Sequence, residues 1–181
     1  MEGCQRLPNG NILVATFDSV EEPNPPRGTI RRTFNSVHEL DTEGKELSVV
    51  KLDRYMDHSN AVRKERNGHI IHTCGSEIGE ADAQGKFLRF IRLPPGQYTD
   101  IEDVPGGGFI AACAKTGRVL EVDAMGKALW KADVPGTCGV TRLPNGHTLV
   151  GADHRIIELD DRGKTVWEKQ TEGYVRRIRG W

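Results

Sequence analysis

The histidine at position 58 is the side chain in this sequence best placed for chemistry. It lies in the run Asp57-His58-Ser59-Asn60, just ahead of a predicted strand that begins near Val62. An imidazole changes charge near neutral pH, so a histidine there could act as a nucleophile or general base if a second group oriented it. The sequence identifies no such group. A polar histidine in a connection between strands is the competing explanation.

Metal and redox chemistry are not expected. His69 and His72 lie close together in the chain, but a metal site needs a third ligand and the sequence indicates none. The four cysteines form no C-x-x-C pair and no zinc-knuckle spacing: Cys4, Cys74, Cys113 and Cys138. The sequence therefore predicts no metal site.

A group of charged side chains lies between Phe17 and Phe34. This segment combines an acidic pair, a proline cluster and several arginines. Its candidate binding residues are Glu21, Glu22, Arg27, Arg31 and Arg32. Long loops on rigid scaffolds are favoured places for binding, so the segment is predicted to be a recognition loop. A tolerated, mobile insertion explains it equally well.

These residues lie within or next to a sequence motif that occurs four times along the chain. Its fullest form is RLPNGHTLV at residues 142–150, followed by RIIELDDRGKTVWE at 155–168. The matching glycines Gly68, Gly107 and Gly146 set a period of about 40 residues, which is typical of propeller blades and of helical solenoid units. The repeats cover about 4–52, 60–93, 100–133 and 139–170.

Each repeat is predicted to be four short strands, because its apolar runs are short, β-branched and bounded by turn residues. Asn145-Gly146 predicts a two-residue hairpin turn, and the Asp-x-x-Gly-Lys run at 160–164 predicts a second hairpin. A repeated four-stranded antiparallel meander is a β-propeller blade. The predicted fold is all-β: a propeller of about four such blades, or half of a larger eight-bladed ring.

Large aromatic side chains recur at the repeat period. Phe90, Trp130 and Trp167 are predicted to occupy equivalent places in the fourth strand of their repeats, where the first repeat has Val49. Isolated surface aromatics have no reason to recur in this way. A flat ring at this position is therefore expected to cover the edge of the neighbouring blade.

Composition narrows the range of partners. The 181 residues include 25 basic and 26 acidic side chains, which leave a formal charge of -1 and no global field for nucleic acid. No apolar run approaches the length of a membrane span, and no charged-then-apolar leader precedes the first repeat. We expect neither a nucleic-acid partner nor a membrane span.

The two ends of the chain suggest self-association. Residues 173–181 align with the opening strand of a further repeat, and an unpaired strand edge is a template for pairing with another chain. The sequence therefore predicts a homo-oligomer held through the terminal strands, with a longer propeller as the rival explanation. The inner ends of the first strands add Asp100 and Tyr174 to the binding candidates, beside His58 and Cys138.

The repeated Leu-Pro-Asn-Gly phrase resembles the blades of pyrroloquinoline-quinone-like (PQQ-like) propellers, and more closely those of aryl-sulfotransferase-like propellers. The resemblance implies a blade architecture shared by quinone-dependent dehydrogenases, sulfotransferases and assembly scaffolds. The dehydrogenases use a disulfide between neighbouring cysteines, which has no counterpart here, so no cofactor is expected. Aryl-sulfotransferases use a histidine near the propeller axis, and His58 is the residue at that position.

The function predicted from the sequence is a non-catalytic binding or interaction scaffold for a protein or small-molecule ligand, because a fold does not carry an activity with it. The alternative is a sulfotransferase- or lyase-like enzyme with His58 as its axial histidine. The inner-strand residues are too mixed in chemistry to define a reaction.

Overall fold

The computed structural model describes residues 3–52, 61–65, 67–175 and 178. The described residues form sixteen strands and contain no helix, so none is long and apolar enough to cross a membrane. The strands are arranged in four sheets, and each sheet contains four strands in chain order. The prediction of four consecutive four-stranded meanders is confirmed.

Each sheet follows one repeat of the sequence. The first sheet contains β1 Gly3–Arg6, β2 Ile12–Pro23, β3 Thr29–Leu40 and β4 Glu46–Lys51. The second contains β5 Val62–Lys64, β6 Ile70–Cys74, β7 Glu77–Ala81 and β8 Phe87–Arg92. The third contains β9 Tyr98–Asp103, β10 Phe109–Cys113, β11 Arg118–Val122 and β12 Ala128–Asp133. The fourth contains β13 Thr137–Arg142, β14 Thr148–Ala152, β15 Arg155–Leu159 and β16 Thr165–Gln170.

The chain divides into two compact units, and each has its own apolar core. The first unit comprises the described residues within 1–74 and 79–90, and the second those within 75–78 and 91–181. The core of the first unit contains Leu7, Leu13, Ala15, Val37, Leu52, Val62, Ile70 and Ala81. The core of the second contains Val104, Ile110, Ala112, Val119, Val134, Val140, Val150, Ala152, Ile157 and Leu159.

The Asp-x-x-Gly-Lys turn has the same structure in all four sheets. In the fourth sheet, Asp160 Oδ1 accepts hydrogen bonds from the backbone N–H groups of Arg162 at 2.9 Å and Lys164 at 2.8 Å. Gly163 takes a φ of 80°, which a residue with a side chain rarely adopts. Equivalent pairs of bonds are made to Asp41, Asp82 and Asp123. The predicted hairpin is confirmed.

The Asn-Gly turn differs from the predicted two-residue hairpin. Leu143 N–H donates to the carbonyl of His147 at 2.8 Å, and Gly146 N–H donates to the carbonyl of Leu143 at 3.0 Å. Gly146 takes a φ of 85°, whereas Asn145 does not have a positive φ. Instead, Asn145 Oδ1 accepts from His147 N–H at 3.0 Å, because an asparagine side chain can satisfy the amide two residues on.

The glycine of the Asp-x-x-Gly-Lys turn packs against the outer strand of the preceding sheet. A Cβ at Gly85 would lie 2.2 Å from the carbonyl oxygen of Lys51, and one at Gly126 would lie 2.1 Å from that of Arg92. A Cβ at Gly163 would lie 2.9 Å from the ring of Trp130. Such a contact is made by the turns of the second, third and fourth sheets, and we call each one a turn-on-strand contact.

Trp130 covers the sheet edge that the sequence predicts it to cover. It packs against the core of the second unit, and its Nε1 donates to Glu121 Oε2 at 2.7 Å. The carboxylate satisfies the one polar atom of the indole, so the rest of the ring can be buried at little cost. The predicted stacking role of Trp130 is confirmed.

The equivalence predicted for Phe90 and Val49 is wrong by one residue. Trp130 lies opposite Glu121, and the residue opposite Glu39 is Ser48. In the second sheet Arg89 Nε bonds Glu80 Oε2, as the Trp130 indole bonds Glu121. A shift of one residue turns a side chain to the other face of its strand. Phe90 instead contacts Phe87, with ring centroids 4.7 Å apart and ring planes tilted by 56°.

Trp167 differs from Trp130 in its surroundings. It lies opposite Glu158 in the same register, but 45% of its surface is exposed. All six residues of β16 are exposed. Among the described residues, no turn packs on the outer strand of the fourth sheet as the Gly163 turn packs on Trp130.

Candidate binding surface

The insertion in the first repeat is a continuation of the first sheet, so the predicted loop is wrong. Strands β2 and β3 remain in register from Ile12 opposite Leu40 to Pro23 opposite Thr29. The turn is closed by hydrogen bonds from Asn24 N–H to the carbonyl of Gly28 and from Arg27 N–H to that of Asn24, both 2.7 Å. A helpful signal in the sequence was the Asn-Pro-Pro-Arg-Gly run at 24–28, whose residue types favour a turn.

We call residues 17–34 the projecting ribbon, because its two strands extend past the strands beside them. The last residue of β2 paired with β1 is Ala15, and the last residue of β3 paired with β4 is Ser36. Beyond these points, no other described strand pairs with either outer edge of the ribbon. Unpaired edges offer backbone donors and acceptors to another chain.

The two faces of the ribbon carry different sets of side chains. Glu21 lies opposite Arg31, whose guanidinium donates to Ser19 Oγ at 2.8 Å, so this face is charged and hydrogen-bonded. Val20 and Ile30 lie on the other face, because side chains alternate along a strand. They are 41% and 39% exposed. Glu22, opposite Ile30, lies on that second face as well, so each face of the ribbon combines charged and apolar residues.

A chain of polar side chains braces the base of the ribbon. Thr16 Oγ1 lies 3.0 Å from His38 Nε2, and His38 Nδ1 lies 2.8 Å from Glu46 Oε2. The order of hydroxyl, imidazole and carboxylate is that of an activated nucleophile. However, Thr16 Oγ1 is also within 3.1 Å of Asp18 Oδ2, and a carboxylate there opposes the negative charge that a nucleophile must develop. The arrangement therefore fits a structural brace.

Sequence reasoning missed this brace, although the repeat contained a signal for it. His38 occupies the position held by Leu120 and Ile157 in the third and fourth repeats. A histidine in place of a buried aliphatic residue requires polar partners. Thr16 and Glu46 supply them.

Five candidate binding residues were predicted on the ribbon, and the side chains of four of them are described. Glu21, Glu22, Arg27 and Arg31 are exposed on the ribbon or its turn. The Arg32 backbone pairs with Val20, but its side chain lies outside the described residues. His58 also lies outside the described residues.

Asp100 is buried, and its carboxylate accepts hydrogen bonds from two strands. Its side chain is fully buried, with Oδ1 accepting from Ile101 N–H at 3.1 Å and Oδ2 from Val140 N–H at 3.2 Å. The carboxylate thus joins β9 to β13. A group used in this way is not available at a surface for binding a ligand.

The remaining inner candidates, Cys138 and Tyr174, differ in how far they are buried. The Cys138 thiol donates to the carbonyl of Gly151 at 3.3 Å, and burial raises its pKa, as do the charges of Asp100 and Asp153. A raised pKa disfavours the thiolate that a nucleophile needs. The Tyr174 ring is 70% exposed and lies 4.0 Å from the ring of His154.

The described part of the tail packs on the fourth sheet but forms no strand there. Val175 N–H donates to the carbonyl of Asp153, and the Ile178 side chain is buried. A Cβ at Gly151 would lie 2.7 Å from the Val175 side chain. The tail therefore contacts β14 through apolar side chains.

Comparison with solved structures shows the fold. A Bacteroides caccae protein of unknown function matches 99% of this chain and 71% of its own, with 16% identity and a TM-score of 0.75. The WD40 β-propeller domain of Doa1 matches 97% of this chain and 68% of its own, with 10% identity and a TM-score of 0.61. A streptogramin B lyase matches 87% of this chain and 59% of its own, with 14% identity and a TM-score of 0.59.

These matches, together with the four sheets, show that the fold is all-β and of the β-propeller type. The chain spans less than two thirds of the lyase. No protein-family profile and no curated protein matches the sequence.

Proposed function

We propose that this chain is a non-catalytic interaction scaffold and that one of its partners is a second copy of the same chain. The observation that supports this most strongly is the turn-on-strand contact. Gly85, Gly126 and Gly163 each pack against an outer strand, whereas a Cβ at Gly44 would meet nothing within 4 Å. Among the described residues, the turn glycine of the first sheet therefore lacks the contact that the other three make, and every residue of the outer strand of the fourth sheet, β16, is exposed.

The exposed strand has the chemistry that such a contact needs. Trp167 is 45% exposed and lies in the register at which Trp130 receives the Gly163 turn. The Gly44 turn of a second copy has the same Asp-x-x-Gly-Lys structure as the Gly163 turn. Its contact with Trp167 would bury apolar surface, and two such junctions would complete an eight-bladed ring.

This form of self-association differs in detail from pairing through terminal strands. The described tail contacts its own fourth sheet, with Val175 bonded to Asp153. We therefore propose that the main contact is made by the outer face of β16. The tail, which packs on β14 of the same sheet, then lies at the inner edge of that contact.

A single substitution on β16 tests the proposed association. Replacing Trp167 by glutamate places a charge where an apolar ring would be buried, so we expect the dimer to dissociate into monomers. Leu129, which is 57% exposed on β12, provides a matched control, and Leu129→Glu should leave the dimer intact. Light scattering at matched concentrations measures both. A dimer that survives Trp167→Glu contradicts the proposed contact.

The projecting ribbon is proposed as the surface for a further partner, namely an extended segment of another protein. Its unpaired edges allow a strand to be added, and one of its faces supplies Glu21 and Arg31 for matching charges. Glu22, Arg27 and Arg32 belong to the same proposed surface, whereas Asp100 is assigned no binding role.

The openness of the ribbon edges can be tested in the isolated chain. Backbone N–H groups of residues 17–22 and 29–34 that point away from the other strand of the ribbon should exchange rapidly with deuterated solvent. The amides of β10 and β14, inside their sheets, should exchange slowly and serve as the control. Slow exchange along both outer edges of the ribbon in dilute monomer would show that they are already occupied.

No reaction is proposed. The inner-strand candidates of the second unit have separate environments, since Asp100 is buried between strands and Tyr174 is exposed against His154. Likeness to a lyase at 14% identity concerns the fold alone. We infer a relationship to PQQ-like and aryl-sulfotransferase-like propellers from the Leu-Pro-Asn-Gly phrase, and a test of sulfate transfer from an aryl sulfate should show no activity that depends on His58.

A further inference from the structure

Three side chains of the second repeat form a cluster of metal-binding type. Glu65, His69 and Glu80 each place one ligand atom within 4.8 Å of the other two. Glu80 is buried, and the other two residues are half-buried. Ligands about 2.1 Å from a tetrahedral zinc ion lie roughly 3.4 Å from one another. Small side-chain rotations would therefore bring all three atoms to one ion.

The carboxylate of Glu65 is a departure from the repeat. The other repeats have Leu7, Val104 and Leu143 at this position. The turn itself is unchanged, since Glu65 N–H donates to the carbonyl of His69 at 2.8 Å, as Leu143 N–H donates to that of His147 at 2.8 Å. The Glu65 carboxylate accepts a hydrogen bond from Asn67 Nδ2 at 3.3 Å in this turn, and one of its oxygens faces the same cluster as His69 and Glu80 in a way that an aliphatic residue could not reproduce.

The other two residues, His69 and Glu80, form a hydrogen-bonded pair. The same pair occurs in the fourth repeat, which has no counterpart of Glu65. His69 Nδ1 lies 2.7 Å from Glu80 Oε1, and His147 Nδ1 lies 2.7 Å from Glu158 Oε1. The fourth repeat therefore contains the same histidine and glutamate, with leucine in place of the third group. It provides an internal control for the role of Glu65.

Glu80 is held in the orientation that a metal ligand needs. Its Oε2 accepts from Arg89 Nε at 2.6 Å, which directs Oε1 toward His69. Such supporting bonds orient ligands in known metal sites.

We propose that Glu65, His69 and Glu80 bind a divalent transition-metal ion, with zinc as the best match. One imidazole and two carboxylates suit zinc, whereas calcium and magnesium favour oxygen ligands alone. A water molecule would complete the coordination. The ion would connect the turn before β6 to β7. This proposal departs from the expectation of no metal site, which considered His69 with His72 and did not place Glu80 beside His69.

Calorimetric titration of the chelator-treated chain with zinc chloride tests the proposal. We expect one ion per chain with the unmodified protein. Glu65→Leu restores the residue of the first and fourth repeats and should weaken binding at least about tenfold. His147→Asn, which introduces the residue found at Asn11, should leave binding unchanged. Cobalt titration of the same proteins should give visible absorption bands that are lost in Glu65→Leu.

A gain of binding provides the second test. Leu143→Glu recreates the three-residue set in the fourth repeat and should bind a second zinc ion per chain. The proposal is overturned if the unmodified chain binds no zinc, or if Glu65→Leu binds it as tightly, as it would if cysteines were the ligands. It is also overturned if Glu65→Leu does not fold and Leu143→Glu gains no second ion.

Discussion

Replacing Trp130 by alanine should lower the free energy of unfolding by about 3 kcal/mol, the lower end of the range for loss of a large aromatic side chain. The indole packs on the core of the second unit, covers the Gly163 turn and donates to Glu121. Its removal would leave a cavity at a contact between two sheets. Chemical denaturation of dilute protein measures the effect.

Trp167→Ala provides the matched control for this prediction. It removes the same side chain from the same register of the next sheet, where 45% of the ring is exposed. In dilute monomer we expect a loss of less than about 1 kcal/mol, because exposed side chains contribute little. Equal losses in the two variants would mean that the Trp130 contact does not stabilise the fold.

Stability should also decline as the pH falls from 6.5 toward 4. His72 is 2% exposed, and burial lowers its pKa from 6.5 to about 4. Between these values the unfolded chain takes up a proton that the folded chain does not, so acid favours unfolding. The loss integrates to about 3 kcal/mol across this window, and above pH 6.5 the group contributes no pH dependence.

The contribution of His72 can be separated from that of other titratable groups by comparing how the unfolding free energy of two proteins changes with pH. His72→Val introduces the residue that the first repeat has at this position, Val14, and removes the imidazole. A plot of unfolding free energy against pH should be flatter for the variant between pH 6.5 and 4. Parallel plots for the two proteins would show that His72 is not the group responsible.

The strands and turns could be predicted from sequence because their causes are local. Asp160 and Gly163 determine a hairpin through bonds to residues within four positions, and the same pattern recurs in each repeat. The Asn-Gly turn was predicted with the wrong geometry, because the dipeptide does not reveal whether asparagine acts through its backbone or its side chain.

The functional surfaces were harder to predict, because they depend on contacts between distant residues. Asp100 bonds the amide of Val140, forty positions along the chain. Glu65 and His69 share one turn, but Glu80 meets them only after β6 and β7 have been placed side by side. In the second case the repeat alignment contained a usable signal, since a glutamate replaced an apolar residue found in the other three repeats.

The register of the outer strands shows how a small error changes an interpretation. Phe90 was assigned the role of Trp130, but the bond from Arg89 to Glu80 places Arg89 at that position. A periodic alignment cannot resolve a shift of one residue, although that shift exchanges the two faces of a strand.

The most direct test of the proposed function is the mass of the unmodified chain in solution. Sedimentation equilibrium over a range of micromolar concentrations should find a species of twice the chain mass of 20.1 kDa, because in the proposed contact the Gly44 turn of one copy covers Trp167 of another. A folded species with the mass of a single chain at every concentration would contradict the proposal that a second copy is its partner.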